Sequence, residues 1–297
     1  MNFQTTFIVA VSGGIDSVVL LHMIMNHVTH NTLETTNEQI PRYIVAHYDH
    51  GMRADSQDDM MFVKKLAQKY KLVFESEAGS LGSNASEQTA REARYDFLRR
   101  TAQKYHAEKI ITAHHQDDVL ETIVLNILRG TGPRGLNPMQ GQHDIVRPLL
   151  HKPKKDILKY AQMHNLKWRE DSTNTDDSYQ RNYVRLHIMP KLEKSRTELL
   201  RIQKSIEEIY HDIDLRLQPL LPTKNVLLRT DFVLLPWSVR RELVRAWLLR
   251  SGVKDVDRQL IERLAIACMT LPITKRVDIN NSLWLVSEPK NVLLTSK

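Results

Sequence analysis

Cysteine is almost missing from this chain of 297 residues, in which Cys268 is the only one. One cysteine excludes an internal disulfide bond and any CxxC metal or redox site. Cys268 lies in the apolar, helix-like stretch Leu264–Met269, where a cysteine is usually part of a buried core. We therefore predict that it has a packing role and is not a nucleophile.

Long hydrophobic runs are missing as well. Hydrophobic residues form 41% of the chain and charged residues 26%, which is ordinary for a globular protein. No stretch approaches the roughly 20 apolar residues that a membrane-spanning helix needs. The N-terminus runs directly into a predicted strand without a targeting pattern. We therefore expect a cytoplasmic protein that has no membrane partner.

Acidic residues are outnumbered, chiefly in the last third of the chain. The formal net charge is +7. Residues 195–297 contain 17 basic and 12 acidic residues, a surplus of five, whereas residues 1–194 contain 25 and 23, a surplus of two. A basic C-terminal segment favours a polyanionic partner such as RNA, although a surplus this small is also common in proteins that bind no nucleic acid.

The first 150 residues alternate between β-like and α-like segments. Strands are predicted at Phe7–Val11, Tyr43–His47, Leu72–Glu75, Lys109–Ala113 and Ile145–Val146. Helices are predicted at Asp16–His27, Ser56–Tyr70, Ala85–Tyr105 and Asp117–Arg129. This alternation is typical of an α/β fold with a doubly wound parallel sheet, in which ligands bind at the carboxyl ends of the strands.

The composition changes further along the chain and suggests a division into domains. Residues 1–195 are predicted to form the α/β domain, and residues 196–218 a charged connector helix. Residues 219–297 are predicted to form a second, mainly helical and basic domain, with one extended stretch near Ser282–Ser287.

A glycine turn follows the first predicted strand. The hexapeptide Ser12–Ser17 reads Ser-Gly-Gly-Ile-Asp-Ser and leads into an amphipathic segment. Its glycines allow a sharp turn that exposes consecutive N–H groups, and the following helix adds its positive dipole end. The pattern indicates a site for a phosphate chain, the alternative being a tight turn without a ligand. A Walker A loop has a lysine directly after its glycines, whereas this loop has Asp16. A carboxylate repels a phosphate group unless a divalent cation lies between the two.

A second motif, after the second predicted strand, carries polar side chains toward the same sheet edge. Segment His47–Ser56 ends in a helix N-cap signal, and ahead of it Arg53 could hold a phosphate while His47 or His50 could face a nucleotide. The alternative is a solvated polar loop.

The segment Asn84–Leu98 contains a charged helix face. Asn84 and Glu87 fit a capping box, and Glu87 shares one helix face with Arg91 and Arg94. These residues form either a surface salt-bridge ladder or an arginine pair that faces phosphates, and the sequence favours neither.

Paired carboxylates follow the fourth predicted strand. Asp118 and Glu121 are three residues apart on the first turn of a predicted helix, so they project together. The helix dipole alone stabilises carboxylates there. With His114 and His115 at the strand's carboxyl end, however, the pair also forms a receptor for a cation, either Mg²⁺ or an ammonium group.

These motifs together resemble the tRNA(Ile)-lysidine synthetases, a family of the PP-loop ATP pyrophosphatase superfamily. The resemblance is carried by Ser12–Ser17, His47–Ser56, Asn84–Leu98, Ala113–Thr122 with Leu128–Gly132, and Trp168–Asn174 with Arg181-Asn182. It covers about residues 7–192; beyond residue 200 only the basic, helical character is similar. The single cysteine departs from the related 2-thiocytidine tRNA enzymes, which hold an iron–sulfur cluster with cysteines.

The resemblance implies a two-step reaction on an adenine nucleotide alpha hydrolase-like fold. ATP adenylates the C2 oxygen of the wobble cytidine in an isoleucine tRNA with a CAU anticodon, and pyrophosphate leaves. The ε-amine of free lysine then attacks C2 and AMP leaves. Residues 1–195 would be the ATP-binding catalytic domain and residues 219–297 the tRNA-binding domain, and a homodimer is compatible with this reading.

The resemblance also implies roles for individual residues. ATP would be held by Ser12, Gly13, Gly14, Ile15, Asp16 and Ser17, with Mg²⁺ on Asp16. Lysine would be bound by Asp118 and Glu121. Arg94, with Arg91, would offset charge in the adenylated intermediate, and Arg181 and Arg185 would hold tRNA phosphates. The predicted catalytic set is Asp16, Arg94, Asp118 and Glu121.

Two functions of other classes stay open. One is a different PP-loop synthetase, linked to an amidotransferase, against which the lack of a glutaminase-like cysteine domain and the basic tail both count. The other is a non-catalytic RNA-binding protein on a degenerate nucleotide fold, against which the intact Asp16, Asp118 and Glu121 count.

Overall fold

The chain forms two compact units, Met1–Lys204 and Ser205–Lys297. The computed structural model describes residues 5–34, 41–50, 56–79, 87–139, 143–170, 177, 180–222, 225–253 and 256–297. Helix α7, whose bounds are given below, contains the division between the two units. No helix in these ranges is long and apolar enough to cross a membrane.

The first unit contains a five-stranded parallel sheet, as predicted. Its strands are β1 Thr6–Ala10, β2 Arg42–Asp49, β3 Val73–Ala78, β4 Lys109–Ile111 and β5 Ile145–Val146, in the order β3-β2-β1-β4-β5. Every neighbouring pair is parallel. The doubly wound α/β prediction is therefore confirmed.

Helices cover both faces of this sheet. Helices α1 Ile15–Glu34, α2 Ser56–Lys69 and α5 Lys154–Met163 pack on one face, and α3 Glu87–Lys104 packs on the other. The structure also has helices α4 Gln116–Leu128, α6 Gln180–Tyr183 and α7 Arg196–Leu217. A π-helical turn, Val184–Ile188, and a 3₁₀ segment, Met189–Ser195, connect α6 to α7.

Neighbouring residues of β1 enter two different cores. Val9 packs with residues of α1, α2 and α5, whereas Ile8 packs with residues of α3. Both side chains are fully buried, which is why buried parallel strands read as unbroken apolar runs.

The strand order reverses direction between β1 and β4. The chain winds from β1 through β2 to β3 and then returns along α3 to β4, on the other side of β1. In such sheets a crevice forms beyond the carboxyl ends of the two strands where the order reverses. The loop after β1 and the start of α4 after β4 both lie at this crevice.

The second unit combines helices with an antiparallel sheet. Its helices are α8 Arg229–Leu234, α9 Trp237–Arg250 and α10 Arg258–Thr270. Its strands are β6 Val226–Leu228, β7 Arg276–Asp278, β8 Leu283–Ser287 and β9 Asn291–Ser296, in the order β6-β9-β8-β7. The helices and the extended stretch at β8 were predicted. The other three strands were not. Two of them, β6 and β7, have only three residues each, too few to show an alternating pattern, whereas the six-residue β9 was missed in an apolar C-terminal stretch.

Cys268 lies in the core of this second unit. It is fully buried with Trp247, Leu248 and Ala265. Burial raises the pKa of its thiol to about 12, so the side chain stays protonated. The predicted packing role is confirmed.

Candidate active site

The loop between β1 and α1 is shaped by its glycines and serines. Gly13 has a φ of +96°, a conformation that strongly favours glycine. The Gly13 N–H donates to Ser17 Oγ at 3.2 Å, and the Gly14 N–H donates to Ser12 Oγ at 3.3 Å. Ile15 and Asp16 begin α1. Loop amides and a helix N-terminus thus lie together, an arrangement that suits a phosphate chain.

Residues distant in sequence brace this loop. The backbone N–H of Arg169 donates to the carbonyl of Gly13 at 3.0 Å, and Arg169 Nε donates to Asp59 Oδ1 at 2.9 Å. His47 is buried, and its Nδ1 donates to the carbonyl of Val11 at 2.9 Å. His47 therefore supports the end of β1. Arg53 lies outside the described residues.

Asp16 faces two cationic side chains. Lys154 Nζ lies 2.5 Å from Asp16 Oδ1, and His115 Nε2 lies 3.6 Å from the same oxygen. Burial raises the pKa of Asp16, but the neighbouring imidazole of His115 and the charge of Lys154 outweigh it, so the pKa lies below its usual value. Asp16 is therefore ionised.

The donor set at Asp16 fits one kind of metal binding. Among the residues that the structure describes, no three His, Cys, Asp or Glu side chains are grouped to hold an ion. Mg²⁺ is commonly bound through one or two carboxylates together with substrate phosphates. A single ionised carboxylate beside a phosphate loop is consistent with that mode.

Asp118 and Glu121 form an acid pair at the start of α4. Asp118 Oδ2 accepts from the backbone N–H of His115 at 2.9 Å, and its Oδ1 accepts from Arg181 at 3.0 Å. Glu121 is only 2% exposed. It accepts one bond from Arg181 at 3.0 Å and two from Arg185 at 2.7 and 3.0 Å. The two carboxylates thus project together, as predicted, and bind cationic groups.

Arg181 and Arg185, which were predicted to bind tRNA phosphates, lie beside the acid pair. Arg181 belongs to α6 and Arg185 to the π-helical turn, a rare geometry often found at functional sites. Val184 between them packs against Val124 and Leu125 of α4. Hydrogen bonding to Glu121 raises the pKa of Arg185 despite its burial. Contact with tRNA phosphates stays a prediction for both.

His115 connects the loop to the acid pair. Its side chain is buried, with Nε2 at 3.6 Å from Asp16 and Nδ1 at 3.5 Å from Asp118. Burial lowers the pKa of His115, but the nearby carboxylate of Asp16 and the charge of Asp118 outweigh it and raise the pKa above its usual value. Sequence analysis named this histidine but missed its bridging position.

The charges of the cluster affect the titration of His114 and Arg94. Burial, opposed by Asp118 and reinforced by the charges of Arg94 and Arg91, lowers the pKa of His114 to about 3. Burial also lowers the pKa of Arg94, with Tyr95 opposing and Arg91 and Arg181 reinforcing. Of the predicted catalytic set, Asp16, Asp118 and Glu121 thus share one charge cluster, whereas Arg94 is related to it here only through these charge effects.

The arginine pair of α3 packs around an aromatic ring. Arg91 and Arg94 lie 4.9 and 5.4 Å from the ring centre of Tyr95. Within the described ranges neither forms an ion pair with a carboxylate. The predicted salt-bridge ladder also includes Glu87, whose side chain lies outside the part of the chain that the structure describes.

Three further charged residues were missed. Arg196 holds Asp117 with bonds of 2.8 and 2.7 Å, and the backbone N–H of Lys154 donates to Asp117 at 2.8 Å. A pocket of about 220 Å³ opens beside them, lined by Asp117, Glu121, Arg185, Met189, Pro190, Glu193 and Arg196. Asp117 could have been predicted as a site residue, because it is next to Asp118 in the acidic start of α4. No local sequence pattern indicates that Lys154 or Arg196 belongs to the site.

Comparison with known proteins identifies relatives of this chain. Residues 2–192 match the family model described as the PP-loop domain. The tRNA(Ile)-lysidine synthase of Thermotoga maritima is 37% identical over 194 residues, covering 63% of this chain and 45% of that protein. The tRNA(Ile)-lysidine synthase of Thermus thermophilus is 32% identical over 284 residues, covering 89% and 53%. The chain spans about half the length of these curated relatives.

A solved structure shares the fold. The U34-tRNA thiolase NcsA from Methanococcus maripaludis, with its [4Fe–4S] cluster, matches with a TM-score of 0.56 and 16% identity, over 69% of this chain and 72% of that one. At this identity the likeness concerns the fold alone.

Proposed function

Because this chain belongs to the PP-loop domain family, we propose that it is an ATP-dependent, tRNA-modifying ligase. In this proposal it joins free lysine to C2 of the wobble cytidine of an isoleucine tRNA with a CAU anticodon. The products are lysidine, AMP and pyrophosphate, and the setting is the cytoplasm. The similarity to curated tRNA(Ile)-lysidine synthases over the PP-loop segment supports this proposal.

One structural observation carries the proposal. A single buried histidine, His115, lies within 3.6 Å of Asp16 in the phosphate loop and within 3.5 Å of Asp118 in the acid pair. A phosphate site and a cation site are therefore separated by one side chain. A ligase that first uses ATP and then a cationic amine needs both sites within reach of one reacting carbon.

The first step forms a phosphoester bond. The C2 oxygen of cytidine attacks the α-phosphorus of ATP, and the bond to the β-phosphate oxygen breaks. The amides of Gly13 and Gly14 and the hydroxyl of Ser17, which bond within the loop in the structure, exchange these bonds for the phosphates. Asp16 would hold Mg²⁺, which offsets charge on the departing pyrophosphate when bound. Arg94 offsets the negative charge of the phosphate in the adenylated intermediate.

The second step replaces AMP with lysine. The ε-amine forms a bond to C2, the bond from C2 to the AMP oxygen breaks, and the amine loses a proton. Asp118 and Glu121 attract the cationic amino acid, sharing their oxygens with Arg181 and Arg185. A carboxylate of this pair accepts the proton. The target cytidine lies in a single-stranded loop of the tRNA, so it can be turned out of its stack to reach the site.

A transfer assay tests the proposal. Radiolabelled lysine, ATP and Mg²⁺ are incubated with isoleucine tRNA or methionine tRNA, both with a CAU anticodon. Label in the isoleucine tRNA alone is expected. No label in either tRNA, with ATP consumed on another acceptor, would instead indicate a different PP-loop synthetase. No ATP turnover at all would indicate a non-catalytic RNA-binding protein.

A further inference from the structure

The lysine that is missing from the loop sequence is supplied by a distant segment. The loop Ser12–Ser17 contains no lysine after Gly13 and Gly14. Lys154, at the start of α5, nevertheless places its Nζ 2.5 Å from Oδ1 of Asp16, across a sequence separation of 138 residues. Asp16 is two residues beyond Gly14, so this ammonium group lies at the same strand end as the loop amides.

The main chain of Lys154 is fixed by bonds that do not involve its side chain. Its backbone N–H donates to Asp117 Oδ2 at 2.8 Å, and Arg196 holds that carboxylate with two bonds. The carbonyl of Lys152 accepts from the backbone N–H of Gln116 at 3.0 Å. These bonds tie the start of α5 to the start of α4, so the side chain can exchange partners while the backbone stays in place.

We propose that Lys154 is a phosphate-binding residue, whose ammonium group contacts the polyphosphate chain of the nucleotide held by the Ser12–Ser17 loop. This inference rests on the proposed function only in taking ATP as the ligand. Lysine binds phosphate as a compact point charge. A polyphosphate chain carries more negative charge than the single carboxylate of Asp16, and it therefore attracts the ammonium group more strongly.

The solvent exposure of the pair is consistent with an exchange of partners. The side chain of Lys154 is 34% exposed and that of Asp16 is 29% exposed. Neither group is sealed in the core, so the ammonium group can turn from carboxylate to phosphate without first crossing an apolar barrier. Lys155, the next residue, is exposed and provides a matched control.

The competing explanation is that Lys154 acts only on Asp16. In that case it neutralises a carboxylate that would otherwise repel the nucleotide, and it makes no contact with phosphate. The two explanations differ when the charge of Asp16 is removed. A neutralising lysine becomes irrelevant in an Asp16→Asn background, whereas a phosphate-binding lysine keeps its effect.

A double-mutant cycle on ATP binding separates these explanations. Calorimetry on the full chain in EDTA, without tRNA or lysine, measures ATP affinity for the wild type, Lys154→Met, Asp16→Asn and the double variant. We expect Lys154→Met to weaken ATP binding by roughly 10- to 100-fold in both backgrounds, as for one hydrogen bond to a charged group. Loss of the effect in the Asp16→Asn background would overturn the proposal.

Three controls complete the experiment. Lys155→Met should leave the ATP affinity unchanged, and Lys154→Arg should keep it close to that of the wild type because the charge is retained. Adenosine affinity should change by less than about twofold in Lys154→Met, as this ligand has no phosphate and its binding also reports folding. Intact ATP binding with no lysine transfer would count against the proposed function and leave the role of Lys154 standing.

Discussion

Removing the charge of Glu121 should destabilise the first unit measurably. Its side chain is 3% exposed and accepts three hydrogen bonds from Arg181 and Arg185. Glu121→Gln keeps the shape of the side chain, removes the charge and replaces one acceptor oxygen with a donor. Both guanidinium groups then lose an ionic partner in a largely buried site.

The size of the effect follows from burial. Breaking a fully buried ion pair by removing one partner costs about 3–5 kcal/mol. Arg185, however, is 38% exposed and Arg181 is 21% exposed, so water can solvate part of the guanidinium groups and reduce the cost. We expect a loss of about 2–3 kcal/mol, which lowers the melting temperature of a unit of this size by roughly 4–12 °C.

Thermal unfolding followed by circular dichroism measures this loss. The control is Glu193→Gln in the same pocket, whose carboxylate is 67% exposed and lies 3.9 Å from its partner Arg196. Such a surface change stays within about 0.5 kcal/mol. Equal melting temperatures for the two variants would refute the view that Glu121 is the buried centre of this charge cluster.

Three other outcomes are expected. Asp16→Ala should abolish lysine transfer while filter binding shows nearly unchanged tRNA affinity, and retained turnover would contradict its place in the phosphate site. Asp118→Asn should raise the KM for lysine more than the KM for ATP, and equal increases would argue against a lysine pocket. Asp16 and Asp118 raise the pKa of His115 against its burial and the charge of Lys154. The protonated His115 therefore stabilises the fold fully below pH 6.5, the ordinary pKa of histidine. This stabilisation decreases as the pH rises through the raised pKa of the folded state. Urea unfolding in EDTA should therefore show that His115→Gln costs less stability as the pH increases above 6.5; a cost that does not depend on pH would refute the charged bridge.

Much of the first unit could be predicted because its central strands, β1, β2 and β4, are largely buried. Segments such as Phe7–Val11 and Tyr43–His47 are apolar runs with polar residues directly after them. Since parallel strands end at one edge of the sheet, their following motifs meet there. The second unit was less predictable, because two of its antiparallel strands, β6 and β7, have only three residues each and place a single side chain in the core, Leu227 and Val277.

The acid pair was predictable and its partners were not. Asp118 and Glu121 are three residues apart, and the helical repeat alone brings them to one face. Arg181 and Arg185 were predicted to contact tRNA, yet their guanidinium groups lie on these two carboxylates. A sequence separation of about sixty residues leaves no local pattern from which such pairing could be inferred.

The amino-acid sequence by itself determined the class of the fold and the motifs from which a candidate site was predicted. Hydrophobic periodicity and the Ser12–Ser17 turn depend on neighbours in the chain, so they can be read without the folded structure. Only the tertiary structure decided which charges meet: Lys154 with Asp16, His115 between Asp16 and Asp118, and Arg185 with Glu121. Long polar side chains find partners according to how helices pack, and packing is a property of the whole fold.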